Sequence, residues 1–214
     1  MSVETAWWIG RRTIQPVVKA FAPFRNYGVE RLPARGGCVI AVNHFSWIDP
    51  PLVGAACPRV VRFVAKVEAH RVPGLGQLIR AYGTIAIRRG ESDRDAVRMM
   101  LDAAREGAVV GLFAEGTRQR SGEPGTVQPG AAMVALQADV PVIPLAIHGT
   151  QRWRPGNWAP ISLAWGRPLQ FEGLPRGGRG YRQASEQIEH EIRRLWEWLV
   201  GVHAEGRAQG LTPP

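Results

Sequence analysis

Long apolar runs are missing from this chain. No stretch of its 214 residues offers the about 18 uncharged apolar residues that a membrane-crossing helix needs. The N-terminus lacks the succession of basic, apolar and small-residue regions that marks a secretory signal. The expectation is a chain that stays in the cytosol, free or on a membrane surface. Cysteine is scarce: Cys38 and Cys57 each sit singly in an apolar run without metal-like spacing. They read as small buried hydrophobes in a reducing compartment, which excludes a disulfide framework. Lysine is nearly absent for so basic a chain. Lys19 and Lys66 stand alone, so almost all of the 27 basic side chains are arginine, the residue suited to bidentate phosphate contacts. No G-x-S-x-G pentad occurs, which removes the usual serine-hydrolase elbow. No recognised nucleic-acid motif occurs either, and the aromatic residues do not interleave with a basic stripe.

What is present suits one domain with a short appendage. Apolar residues make up 45% and charged residues 21%, ordinary for a packed core that needs no staples. The formal charge of +9 calls for an anionic partner: nucleic acid, anionic lipid or a phosphorylated substrate. Residues 1–27 read as an amphipathic helical segment. At 100° per residue Val3, Trp7, Gly10, Ile14, Val17, Val18 and Phe21 share a face, with Arg12 and Lys19 roughly opposite. Trp7 and Trp8 are residues of the headgroup level of bilayers. Pro16 predicts two short helical pieces in place of one long helix. The segment is either an interfacial anchor or a helix packed on the main domain.

From residue 28 to 202 the pattern is α/β. Short β-rich runs occur at Cys38–Val42, Val60–Ala65, Thr84–Ile87, Ala108–Phe113, Val142–Ile147 and Ile161–Trp165. Helical patterns intervene at Arg94–Glu106, stopped by Gly107, and at Ala131–Ala138. A mostly parallel central sheet flanked by helices follows. A last helix over Tyr181–Val202 carries Ala184, Ile188, Ile192, Leu195, Leu199 and Val202 as a packing stripe. Arg176–Gly180 reads as a loop and residues 203–214 as a disordered tail.

Two segments carry chemistry. The first is NHFSWIDP, Asn43–Pro50, directly after an apolar strand. His44 and Asp49 would lie about 140° apart on a helix, so they meet only if the chain turns between them. Pro50 supports that turn by biasing Asp49 away from helical angles. A histidine held by a carboxylate is a general base of fixed tautomer. The plainer alternative makes Asp49 a helix cap and His44 a loop histidine. The second segment is FAEGTR, Phe113–Arg118, again leaving a strand. Glu115 can accept a hydroxyl hydrogen bond, Gly116 permits close backbone approach and Arg118 offers a phosphate fork. Arg120 follows in a Gly/Pro-rich loop.

Together these segments resemble the glycerolipid acyltransferases, the class that includes 1-acylglycerol-3-phosphate acyltransferase. The NHxxxxD motif is Asn43, His44 and Asp49; the FPEGTR motif is FAEGTR with Ala114 in place of proline; the VPxxP-like block is VPVIPLAI, Val140–Ile147. In the remaining block, GTIAIRR, Arg89 matches the motif arginine and Arg88 stands where an acid is usual. The upstream FVAKVEAHRVPGLG is similar to the family's lysine-containing segment and brings in Lys66.

The resemblance implies direct transfer of a fatty acyl group from acyl-CoA or acyl-carrier protein to the hydroxyl of a lysophospholipid. His44 would be the base and Asp49 its orienting partner. Lys66, Arg89 and Arg118 would hold the acceptor phosphate, with Glu115, Gly116 and Thr117 lining the acceptor. It implies no resident cofactor and no metal, no nucleic-acid partner, and a peripheral or monotopic place on the cytoplasmic face of a membrane bearing anionic lipid. Two rival readings remain at this level: an acyl-CoA thioesterase in which His44 activates water, and a non-catalytic basic module that binds membrane or nucleic acid.

Overall fold

The computed structural model describes residues 3–81, 83–87 and 94–214, without the side chains of Lys66, Leu75, Leu78 and several residues of the first helix. Among the described residues the strands are β1 (Phe24–Tyr27), β2 (Cys38–Val42), β3 (Val61–Lys66), β4 (Ile85–Ile87), β5 (Val109–Phe113), β6 (Val142–His148) and β7 (Ile161–Trp165). They form one sheet in the order β1-β7-β6-β2-β5-β3-β4. β2 to β6 run parallel. β7 runs antiparallel to β6, and β1 runs parallel to β7. The sheet is therefore mostly parallel, with a reversed pair at one edge.

The helices are α1 (Val3–Phe21), α2 (Asp49–Ala56), α3 (Val67–Arg71), α4 (Leu75–Ala81), α5 (Arg94–Arg105), α6 (Gly130–Ala138) and α7 (Gly178–Ala204). Burial follows from covering both faces of the sheet. Every residue of β2 is buried, and its side chains alternate between two cores. Val39 and Ala41 pack with Met100 of α5, Ala135 of α6 and Ile188 of α7. Cys38, Ile40 and Val42 pack with Leu52 and Val53 of α2 and with Trp153 and Trp165. This two-sided burial is why the strand reads as a continuous apolar run. The α7 stripe from Ala184 to Val202 is buried as its spacing predicts.

Four expectations are corrected. Pro16 does not divide the N-terminal segment: α1 is a single helix of 19 residues with Pro16 inside it. Pro16 and Arg12 are both exposed, so the Arg12 carbonyl that loses its donor can turn to water. The sheet also begins earlier than residue 28. Phe24–Tyr27 is a strand in register with Ile161–Ala164, and its FRNY sequence is too short and polar to announce itself. The tail beyond 203 is ordered. Tyr27 donates its hydroxyl to the Ala208 carbonyl at 2.9 Å, Arg31 reaches the carbonyls of Pro213 and Pro214, and Arg207 donates to the Ile161 carbonyl at 2.8 Å. Hydrogen bonds order this segment, and apolar periodicity does not register them. α7 also begins at Gly178, inside the stretch expected to be loop.

Beyond the end of β2 a side chain extends its ladder to β6. Asn43, fully buried, accepts from the Ile147 amide at 2.7 Å and donates to its carbonyl at 2.9 Å. Asn43→Ala should destabilise the fold by about 1–3 kcal/mol for each Ile147 group left unpaired, measurable as a lower urea midpoint. At the other face His148 and His203 lie with ring centroids 4.5 Å apart, and His203 shares a hydrogen bond with Ser162. Burial, with neighbouring positive charge, lowers both histidines from 6.5 to about 4. The unfolded chain therefore takes up protons first as pH falls. Stability should be lost between about pH 6.5 and 4, and His203→Gln should flatten that limb in pH-dependent denaturant titrations.

Candidate active site

The centre of the site is a carboxylate without access to water. Asp49 is fully buried at the start of α2. Its Oδ2 accepts from the Phe45 amide at 2.7 Å, the Ser46 amide at 2.8 Å and His44 Nδ1 at 2.8 Å. The carboxylate thus turns back over the 44–48 turn and does not cap α2. Pro50 and Pro51 open the helix with no amides to satisfy, and the Asp49 amide closes the turn on the Ser46 carbonyl at 3.2 Å. An oxygen that already accepts two amides cannot donate, so His44 Nδ1 carries the proton. That leaves Nε2 as an acceptor on an imidazole whose side chain is 14% exposed. The ring stacks on Phe113, centroids 4.0 Å apart with the planes inclined by 29°, which limits its rotation.

The FAEGTR segment is bound to this turn by Glu115. One carboxylate oxygen accepts from the His44 amide at 2.9 Å, and the other accepts from the Gly125 amide at 2.8 Å. Burial pushes the Glu115 carboxyl up to about 7, with a smaller upward push from the Asp49 charge, against the two amides that favour its anion. Both oxygens are engaged by backbone, so Glu115 ties two loops together. Gly116 closes the turn at φ 71, a left-handed conformation suited to glycine, and its amide donates to the Phe113 carbonyl at 2.9 Å. The Gln119 amide donates to the His44 carbonyl at 2.7 Å.

Beside the dyad opens a cleft of about 370 Å³, walled by Phe45, Ser46, Trp47, Arg118, Gln119 and Arg120 on one side and by Thr150, Gln151, Trp153 and Arg154 on the other. Among the described residues no carboxylate lines it. Arg118, Arg120 and Arg154 make no ion pair with any described residue. One edge of Arg154 is held by the Trp153 carbonyl at 2.7 Å. The structure thus brings together His44, Asp49, Glu115, Gly116 and Arg118, with Thr117 exposed beside them. Lys66 ends β3 opposite Ile87, but its side chain is outside the described set, and Arg89 lies outside the described residues altogether. The far wall was missed in the sequence. Its signal was the basic and aromatic run QRWRPGNW directly after the β6 pattern. No group of His, Cys, Asp and Glu side chains among the described residues could hold a metal ion.

Comparison with known proteins agrees with this geometry. The acyltransferase family model matches residues 23–148, which includes the dyad, the FAEGTR turn and β6. A 1-acyl-sn-glycerol-3-phosphate acyltransferase of Bacillus subtilis is 28% identical over 177 residues, 79% of this chain and 86% of that one. A lyso-ornithine lipid O-acyltransferase of Pseudomonas aeruginosa is 32% identical over 73% of this chain and 58% of its own length. Some relatives are much longer, and the match spans 38% of a chloroplastic 1-acyl-sn-glycerol-3-phosphate acyltransferase of Brassica napus. The crystal structure of the 1-acyl-sn-glycerophosphate acyltransferase from Thermotoga maritima superposes with a TM-score of 0.70 at 25% identity, over 89% of this chain and 81% of that one. With the family model matching more than half its length, this chain belongs to the acyltransferase family.

Proposed function

We propose that the protein transfers a fatty acyl group from acyl-CoA or acyl-carrier protein to the free hydroxyl of 1-acylglycerol-3-phosphate, forming phosphatidic acid. The observation that carries this reading is an oriented His44–Asp49 dyad on the turn whose Phe45, Ser46 and Trp47 wall a cleft, and the arginines of that cleft have no acidic partner among the described residues. The acceptor hydroxyl gives its proton to Nε2 as its oxygen attacks the thioester carbonyl. The imidazolium formed faces the buried Asp49 carboxylate, which stabilises it. Collapse of the tetrahedral intermediate expels the thiolate, which takes the proton from His44 and leaves as thiol. Base catalysis of this kind is worth about 10²–10⁴-fold, and holding two substrates in line supplies much of the remainder. No acyl-enzyme forms.

The charge of the cleft favours one acceptor class among those named for the relatives. Arg118, Arg120 and Arg154 suit a phosphomonoester. An ornithine head group would bring an ammonium against a wall with no carboxylate among the described residues to receive it. Arg118 holds the acceptor phosphate, helped by Arg89 and Lys66, while Gly116 and Thr117 border the acceptor. Glu115 acts as a positioning residue that locks the FAEGTR turn to the dyad.

The protein works at the cytoplasmic face of a membrane, peripherally. Supporting this, no helix among the described residues is long and apolar enough to cross a bilayer, while α1 exposes Trp8, Ile9 and Phe21 and sets Arg12 over the Trp8 ring at 4.1 Å. We therefore read α1 as the membrane-associating segment and the chain from Phe24 onward as the catalytic domain.

Thiol release from palmitoyl-CoA by wild type should require 1-acylglycerol-3-phosphate and yield phosphatidic acid; acceptor-independent release would indicate a thioesterase. Asp49→Asn should lower kcat by about 10²–10⁴-fold with little change in acceptor KM. Arg118→Ala should raise acceptor KM about tenfold or more, and an unchanged KM would remove Arg118 from the phosphate site.

A further inference from the structure

The loop joining β6 to β7, residues 149–160, contributes no group to the dyad, yet it holds one of the least comfortable residues of the fold. Trp158 has a left-handed backbone, φ 49, which penalises a bulky side chain and suits glycine. The Asn157 side chain imposes this geometry. Its Oδ1 accepts from the Arg154 amide at 3.0 Å and the Ala159 amide at 3.1 Å, and its Nδ2 donates to the Arg152 carbonyl at 2.8 Å. The fold gains little packing in return, because Trp158 is 57% exposed. A strained residue that presents an indole to solvent points to a contact outside the chain.

The surroundings identify that contact. Trp153, buried in the same loop, donates Nε1 to the Phe21 carbonyl at 3.1 Å and meets Trp47 edge to face at 5.6 Å. The end of α1, the catalytic turn and the β6–β7 loop therefore converge on one indole. Each adds an exposed aromatic to the rim: Phe21, Trp47 and Trp158. Arg152 and Arg154, both exposed, flank the buried Trp153 in sequence and make no ion pair with any described residue; the charge of Arg152 also reaches His148 and His203. Exposed indoles are the side chains that settle at the headgroup level of a bilayer. Unpaired arginines beside them complement anionic phospholipid. Trp47 and Trp153 also wall the cleft, so a bilayer on this rim lies at the cleft mouth.

We propose that the β6–β7 loop is a membrane-contact element separate from α1. It seats Trp158 in the headgroup layer of an anionic bilayer and holds the cleft mouth at the surface that supplies the acceptor. The proposal rests on the reading that the acceptor is a membrane lipid, and its test separates the two. Full-length wild type, Trp158→Gly and Trp158→Tyr are sedimented with vesicles of phosphatidylcholine alone or with about one-third phosphatidylglycerol. Turnover is measured in parallel on a short-chain lysophosphatidate below its micelle concentration, and folding by thermal midpoint.

Trp158→Gly should cut partitioning onto the anionic vesicles about tenfold and leave monomeric turnover intact. Its thermal midpoint should be unchanged or higher, since glycine relieves the backbone. Trp158→Tyr should retain most of the binding. Arg152→Ser should narrow the preference for phosphatidylglycerol over phosphatidylcholine. Partitioning of Trp158→Gly equal to wild type would overturn the proposal, as would a loss of binding accompanied by a lower midpoint and not recovered by tyrosine. Absence of turnover in wild type would count against the acyl transfer and leave the vesicle comparison to decide the loop's role by itself.

Discussion

The site depends on placing one carboxylate where water cannot reach it. Asp49 is tolerated there because three donors converge on one of its oxygens, two of them amides of the turn that it closes. A buried charge without such partners would neutralise itself or unfold its surroundings. The requirement runs in both directions. The turn holds its shape because the carboxylate needs those amides, and the imidazole is fixed in one tautomer because it supplies the third donor. Truncating the side chain would therefore undo the loop as well as the base, whereas asparagine keeps an oxygen for the two amides. The Asn43 and Glu115 contacts serve the same end, fixing the chain before and beside His44 so that the ring has one place to stand.

Strand order explains why segments far apart in sequence share this place. β2 lies between β6 and β5, in register with both. The residues leaving their carboxyl ends are therefore neighbours: the 43–49 turn, the 113–118 turn and the loop after His148. Open α/β sheets bind ligands at this edge because parallel strands deliver their loops to one side. The β6–β7 antiparallel turn adds a feature that a purely parallel sheet would lack. It sends a short loop straight back over the cleft, where a crossover helix would have carried the chain away. That loop provides Arg154 to the cleft and Trp158 to its rim.

Much of this was legible in the sequence because it depends on local chemistry. The runs Cys38–Val42 and Ile161–Trp165 are strands at the expected bounds, since burial on both faces demands unbroken apolar residues. The approach of His44 to Asp49 followed from spacing, because a helix through both would separate them; Pro50 did not keep Asp49 out of the helix, since Asp49 is the first residue of α2. Other features depend on partners that periodicity does not register. β1 is a strand because β7 offers it an edge. The C-terminal segment is ordered because Arg31, Tyr27 and Arg207 bind its backbone or hold it to β7. Pro16 sits inside a helix because water can serve the carbonyl it leaves unpaired. The cleft wall from Thr150 to Arg154 was hidden because loop residues acquire meaning from what lies opposite, here Arg118 and Arg120. Glu115 was expected to accept a hydroxyl hydrogen bond from the acceptor; that both its oxygens take backbone amides, of His44 and Gly125, required the fold.

The most direct test of the account is the conversion of radiolabelled 1-acylglycerol-3-phosphate to phosphatidic acid by His44→Ala, compared with wild type at matched folded concentration. His44 lies at a partly exposed position, so the variant should retain the wild-type circular dichroism spectrum. The account predicts that phosphatidic acid formation then falls to background at saturating donor and acceptor. Product formation at the wild-type rate by the folded variant would contradict it, and would place the base elsewhere in the molecule.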